Sequence, residues 1–260
     1  MGRRDAERGA MMTGSAWIKR LPGESPVRQQ LLCLPHAGGG ASAFRPWRQL
    51  LPPEVELLAV QYPGREDRIG EPALTDLAEL AEGVADALPD ALDAPYTVFG
   101  HSMGALVGYE LVNVVRQNGF PVPRRLIVSS QFPPGLLPDR GVRDFGDEAV
   151  LDLVDWLAGG SSGIRVDSRL SAFVAALVRA DYEAVETYRP GTAGITVPVS
   201  AFCGAADPAV SPDEVAGWAA WCRAGFDRTV FPGGHFYLRE SAAETVAAIT
   251  GILRREDVLA

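Results

Sequence analysis

The sequence predicts an α/β fold built on a mostly parallel sheet, and three observations carry that prediction. Short runs rich in Val, Leu and Ile recur along the chain and stay apolar throughout, as strands covered on both faces do. Amphipathic stretches of helical length separate these runs. Capping and stop signals mark the junctions between them. At 260 residues, 47% hydrophobic and 22% charged, the chain can bury one sizeable core.

The opening "MGRRDAERGAMMTGSA" is basic but lacks the apolar run of a signal peptide, and Arg3-Arg4 makes a poor export signal. Ala6 stands where a myristoylation motif needs Ser or Thr. Residues 1–15 are therefore expected to form a disordered lead, with Met1, Met11 and Met12 as alternative starts, and the protein is expected to be cytoplasmic. Buried strands are predicted at "QLLCL" (30–34), "ELLAVQ" (56–61), "YTVF" (96–99), "RLIVSS" (125–130), "TVPVSAFC" (196–203) and "DRTVF" (227–231). Asp76 caps the helix "LAELAEGVADAL", with Glu79 in capping-box position. "ALVGYELVNVVRQNG" stops at Gly119 before Pro121; Pro212 opens "DEVAGWAAWCR", and "ESAAETVAAITGILRRE" closes the chain.

One segment breaks the alternation. From Pro133 to Pro190 no strand is predicted, only the helical patterns "DEAVLDLVDWLAG" and "RLSAFVAALVRADYEAVETY" joined by "GGSSGIRVDS". Flanked by "QFPPGLLPD" and "YRPGTAG" as hinges, residues 133–190 read as a helical lid, and residues 16–132 and 191–260 as the core.

Composition excludes several classes. The three cysteines, Cys33, Cys203 and Cys222, show no CxxC spacing, which argues against a disulfide framework or a zinc site. No run reaches the roughly 18 apolar residues of a membrane span. A net charge of −9 disfavours nucleic acid, although a local basic patch can coexist with it.

The chemistry concentrates at "YTVFGHSMGALVGYELV". Gly-x-Ser-x-Gly is weak alone, but here it follows a buried strand directly and opens a helix, the context of a nucleophile elbow. Ser102 needs a base. Of three histidines, His101 should point away from it, and His36 lies in "LPHAGGGASAF", where an oxyanion loop belongs. That leaves His235 in "FPGGHFYL", after the last strand. Asp207 in "AFCGAADPAVSP" is the expected acid, with Asp213 as its rival, because Asp207 lies nearer the C-terminal end of its strand. The order Ser102, Asp207, His235 is that of an α/β-hydrolase fold. Backbone N–H groups of Met103 and Ala37, with Gly38 second to Ala37, are the expected oxyanion donors. "GGGASAF" lacks the Lys of a P-loop and does not match G-x-G-x-x-G.

"LPHAGGGASAFRPW", "VQYPGREDR", "FGHSMGALVGYEL" and "GGHFYL" together resemble the motifs of type II thioesterases, the discrete editing enzymes of polyketide synthases and nonribosomal peptide synthetases. The resemblance runs from about Leu31 to the last helix. It implies hydrolysis of acyl thioesters on the phosphopantetheine arm of an acyl or peptidyl carrier protein, without a cofactor or metal and by a monomer. The residue chemistry by itself leaves a carboxylesterase, a lipase and an acyltransferase open. Arg65 and Arg68 are expected at the entrance used by the carrier arm, and "DWLAGG" and "AFVAALV" are expected to line an apolar acyl pocket.

Overall fold

The computed structural model describes residues 13–258, except 24, 25 and 192. Strands β1 (Thr13–Gly14) and β2 (Ile18–Leu21) precede β3 (Gln29–Leu34), β4 (Val55–Val60) and helix α1 (Leu77–Ala91). Next come β5 (Tyr96–His101), α2 (Met103–Gln117) and β6 (Leu126–Ser129). Helices α3 (Asp147–Leu157) and α4 (Ser168–Thr187) fill the segment read as a lid. The chain finishes with β7 (Val199–Gly204), α5 (Pro212–Ala216), β8 (Phe226–Phe231), α6 (Tyr237–Glu240) and α7 (Ala242–Val258).

The eight strands form one sheet in the order β1-β2-β4-β3-β5-β6-β7-β8. From β4 to β8 every pairing is parallel, whereas β2 joins β1 and β4 antiparallel. This is the α/β-hydrolase architecture. β1 and β2 were not legible in the sequence, because the edge strand β1 has two residues and "IKRL" beside it has only four, with two polar residues half-exposed at its centre. Residues 1–12 of the expected lead lie outside the described residues, and Thr13–Gly14, also assigned to it, pair with Arg20 and Lys19.

Alternation along the central strands builds two apolar layers. Leu32, Leu34, Leu58, Val60 and Val98 face α1 and α2, where Leu80, Val84, Leu106 and Tyr109 cover them. Leu31, Cys33, Leu57, Ala59 and Phe99 face the opposite side, against Phe44, Trp47 and the α7 residues Val246, Ile249 and Leu253. Asp76 caps α1 as expected, accepting the N–H groups of Ala78 and Glu79 at 2.7 and 3.2 Å. Helices α3 and α4 form a third, separate apolar cluster from Val142, Val150, Leu151, Ala175 and Val178.

The junction of β5 and α2 admits no side chains on its glycines. A Cβ on Gly104 would lie 2.2 Å from the Leu34 carbonyl oxygen, and one on Gly100 would lie 2.1 Å from the Gly104 carbonyl oxygen. Gly104→Ala must therefore push α2 off β3, a strained overpacking that costs about 3 kcal/mol. Urea denaturation checks this, and an unchanged midpoint would contradict it.

Candidate active site

Ser102 lies between the last residue of β5 and the first of α2, at φ 53° and ψ −120°. A non-glycine residue held at positive φ costs on the order of 1–3 kcal/mol, so the surrounding structure imposes this turn. Its backbone N–H donates to the Ser129 carbonyl at 2.8 Å, and its own carbonyl accepts from Ala105 at 2.9 Å. A serine at a helix N-cap ordinarily accepts from the first-turn amides. Here the hydroxyl makes no such bond. It faces a cavity instead, with the N-terminus of α2 behind it.

β7 and β8 deliver the two partners from neighbouring strand ends. Asp207 follows β7, and His235 sits in the glycine-rich loop after β8. His235 Nδ1 lies 3.0 and 3.1 Å from the two Asp207 oxygens, with both side chains buried. A carboxylate only accepts, so Nδ1 carries the proton that it shares with Asp207. Burial pushes the Asp207 carboxyl up. The His235 hydrogen bond and charge, with the Ala209 N–H, outweigh this and hold it below the usual carboxylate range. Ser102 and His235 line the same two cavities, so the structure brings the three expected residues together. The rival Asp213 is 99% exposed and pairs, among the described residues, with Arg228 at 3.4 Å rather than with His235.

The "HAGGG" loop is held from beneath by "QYPGRE". Gln61 accepts the Ala41 N–H at 2.7 Å and donates to the Arg65 carbonyl at 2.7 Å. Arg65 donates to the Gly39 carbonyl at 3.2 Å and pairs bidentately with Asp181 of α4, both bonds 2.8 Å. Asp181 also accepts the Gly38 N–H at 2.7 Å. Gly38 is thereby removed as an oxyanion donor, which leaves Ala37 as that loop's candidate beside Met103, the first residue of α2.

The expectation for Arg65 and Arg68 is corrected. Arg65 is 2% exposed and Arg68 is 8% exposed; Arg68 pairs with Glu71 at 2.6 Å and stacks on Trp17. Neither presents its charge to a docking partner, because each guanidinium is consumed in holding backbone and carboxylates together. Asp181 was missed. Its signal was an acid on the stripe Val174, Val178, Asp181, Val185, where helical spacing requires an apolar residue.

Comparison with known proteins agrees with this geometry. The family model described as a thioesterase domain matches residues 29–253. The chain belongs to the thioesterase domain family. It is 40% identical to the thioesterase PikA5 of Streptomyces venezuelae, over 86% of this chain and 80% of that one. It is 31% identical to the gramicidin S biosynthesis protein GrsT of Aneurinibacillus migulanus, over 92% and 94%. The type II thioesterase BorB, from the borrelidin biosynthetic cluster, superposes with a TM-score of 0.82 at 35% identity, over 95% and 99%. The resemblance read from the motifs is thus confirmed.

In this thioesterase the larger cavity at Ser102 has a volume of about 370 Å³. Leu153, Val154 and Leu157 of α3 and Val174 and Val178 of α4 line one side, and the "HAGGG" loop lines the other. Leu157, Ala158, Val174 and Val178 come from the two stretches expected to be apolar lining, whereas Trp156 is 44% exposed. A smaller cavity of about 50 Å³ continues past Met103 toward Phe132, Leu137 and Val210. Among the described residues no cluster of three or more His, Cys, Asp or Glu is placed to hold a metal, and no helix is long and apolar enough to cross a membrane.

Two further histidines stand near His235 in the thioesterase, His101 buried and His36 half-buried. His101 lies within 5.1 Å of the His235 ring, and its Nδ1 is 2.9 Å from the Ser129 hydroxyl, which continues to Tyr237. Burial, with His235, His36 and Arg239 nearby, pushes His101 well below the ordinary histidine value. Burial, Arg239 and His235 push His36 down to about 3. Below about pH 6.5 the unfolded chain takes up protons that these folded histidines refuse, so stability falls as pH falls. Fully buried His101 contributes about 1.4 kcal/mol of loss per pH unit below that point, and half-buried His36 contributes less. Asp207, held low, adds its loss only below about pH 4. Urea titrations at pH 7.5 and 5.5 should show a lower midpoint at 5.5, and His101→Asn should flatten the difference. Equal midpoints would refute the account.

Proposed function

We propose that this thioesterase is a serine hydrolase that removes acyl groups from the phosphopantetheine arm of an acyl or peptidyl carrier protein, editing a polyketide or nonribosomal peptide synthase. The observation that carries the proposal is the buried Asp207–His235 pair opening onto the same cavity as an uncapped serine on a strained elbow.

His235 Nε2 takes the Ser102 proton as Oγ adds to the thioester carbonyl. Asp207 holds the tautomer and stabilises the imidazolium. Met103 and Ala37 N–H groups receive the oxyanion, supported by the positive end of α2. The C–S bond breaks, and the leaving thiolate takes the proton from His235. Water, deprotonated by the same Nε2, then adds to the acyl-serine. Collapse expels Ser102 Oγ, which recovers its proton, and frees the acid. The reaction balances with water alone, so no cofactor is required of the protein; the phosphopantetheine belongs to the partner.

Helices α3 and α4 act as a lid in this reading, since they supply the apolar wall against which an acyl chain lies. An open cleft bordered by Trp156, Gly159 and Gly160 reaches His235 from the other side of α3 and offers a path for the arm.

A fluorophosphonate probe should label wild-type protein at Ser102, and Ser102→Ala should abolish labelling and lower turnover about 10⁴-fold or more. Asp207→Asn should lower kcat about 10³- to 10⁴-fold with the fold intact. Acyl-pantetheine thioesters should be cleaved faster than matched oxygen esters, and carrier-bound acyl groups faster still. Preference for the oxygen esters would make the protein a carboxylesterase or lipase. Ester or amide product formed in preference to acid when an alcohol or amine is added would make it an acyltransferase.

A further inference from the structure

We propose that Asp181 and Arg65 are positioning residues that tie lid helix α4 to the oxyanion loop, so that the loop donor is held in place only while α4 is docked. The inference rests on the hydrolase reading above, and it concerns residues to which that reading gives no role.

Two residues one turn apart on α4 meet the same glycine. Asp181 accepts the Gly38 N–H at 2.7 Å, and Val178 packs so closely that a Cβ on Gly38 would lie 2.7 Å from its Cγ2. Gly38 is at φ +75°, a conformation that an L side chain rarely adopts. The "HAGGG" loop therefore presents bare backbone to α4 at the residue next to the donor Ala37. From below, Arg65 completes the tie: it grips both Asp181 oxygens and the Gly39 carbonyl. The peptide group before Gly38 and the one after Gly39 are thus fixed by one buried ion pair, one of whose members belongs to the lid.

The apolar packing does not supply this registration. Around Asp181, the residues Val142, Val150, Leu151, Ala175 and Val178 form a cluster separate from the two layers around the sheet, and α4 joins the α1/α2 layer only further on, at Ala184 and Val185. Apolar contact is non-directional and tolerates sliding. A bidentate guanidinium–carboxylate pair does not, because both of its hydrogen bonds require one geometry. Moving α4 away removes the acceptor of Gly38 and half the partners of Arg65 together. The loop then loses its fixed orientation as the acyl wall opens. Hydrolysis is thereby favoured when the cavity is closed over a chain.

The test uses the full-length protein. Asp181→Asn keeps the shape but breaks the charged fork. Kinetics on an acyl-pantetheine thioester should show kcat lowered about 10- to 100-fold with KM nearly unchanged, as expected when a transition-state donor is misplaced. The double variant Arg65→Met, Asp181→Leu replaces the buried pair with apolar groups of similar size, which commonly preserves stability. It should melt near the wild-type temperature and still show the low kcat. A double variant that is stable and as fast as wild type would reduce the pair to a structural role and overturn the proposal. In wild-type protein, hydrogen exchange of peptides covering residues 36–42 and 168–187 should respond to denaturant together. Exchange of the loop independent of the helix would also overturn the proposal, whatever the variants do. Wild-type protein that neither labels at Ser102 nor cleaves thioesters would instead remove the hydrolase reading, leaving the exchange measurement to judge the tie.

Discussion

Helix α2 approaches β3 and β5 so closely that backbone meets backbone, and the site follows from that approach. With glycine at 100 and 104, the first turn of α2 lies against Leu34, at the end of β3. The chain must then reverse within one residue, and that residue is Ser102, forced to positive φ. The same turn prevents the serine from capping its helix and leaves the α2 dipole pointing at whatever the hydroxyl attacks. The strain is local, and the two-sided core around β5 sustains it.

Around this rigid elbow the remaining groups are held by polar contacts of different depth. Asp207 and His235 come from adjacent parallel strands, β7 and β8, whose register sets their loops side by side. The loop after β3, proposed to supply an oxyanion donor, is fastened by side chains of the segment after β4, Gln61 and Arg65, which explains why "PHAGGG" and "QYPGRE" belong together: β3 and β4 are neighbours in the sheet. Asp181 adds a contact from outside the core. Arg65 and Arg68, expected at an entrance, are spent internally in ion pairs that the loop sequence does not reveal.

Legibility differed by interaction type. Five of the six expected strands, the flanking helices and the helical insertion were readable because burial on both faces and helical periodicity leave local patterns; "DRTVF" does form β8, but as a largely exposed edge strand rather than a buried one. The elbow, Asp207 and His235 were readable because they stand beside strand ends and are bracketed by turn residues. Strands β1 and β2 were not, since strands of two and four residues, the second half-polar, leave no pattern. Asp181 appeared in the sequence only as a misfit on an apolar helix face.

The sequence by itself determined the α/β alternation, the strand–serine–helix turn, the order of the three side chains proposed to react and the family. Each of these depends on residues close together in the chain or on their order. Tertiary structure alone decided that Asp207 rather than Asp213 meets His235, that Arg65 faces inward, and that Gly38 has its N–H occupied. These depend on which strand ends and helix faces become neighbours, and the pairing of sheet register and side-chain burial carries no signature at the level of local spacing.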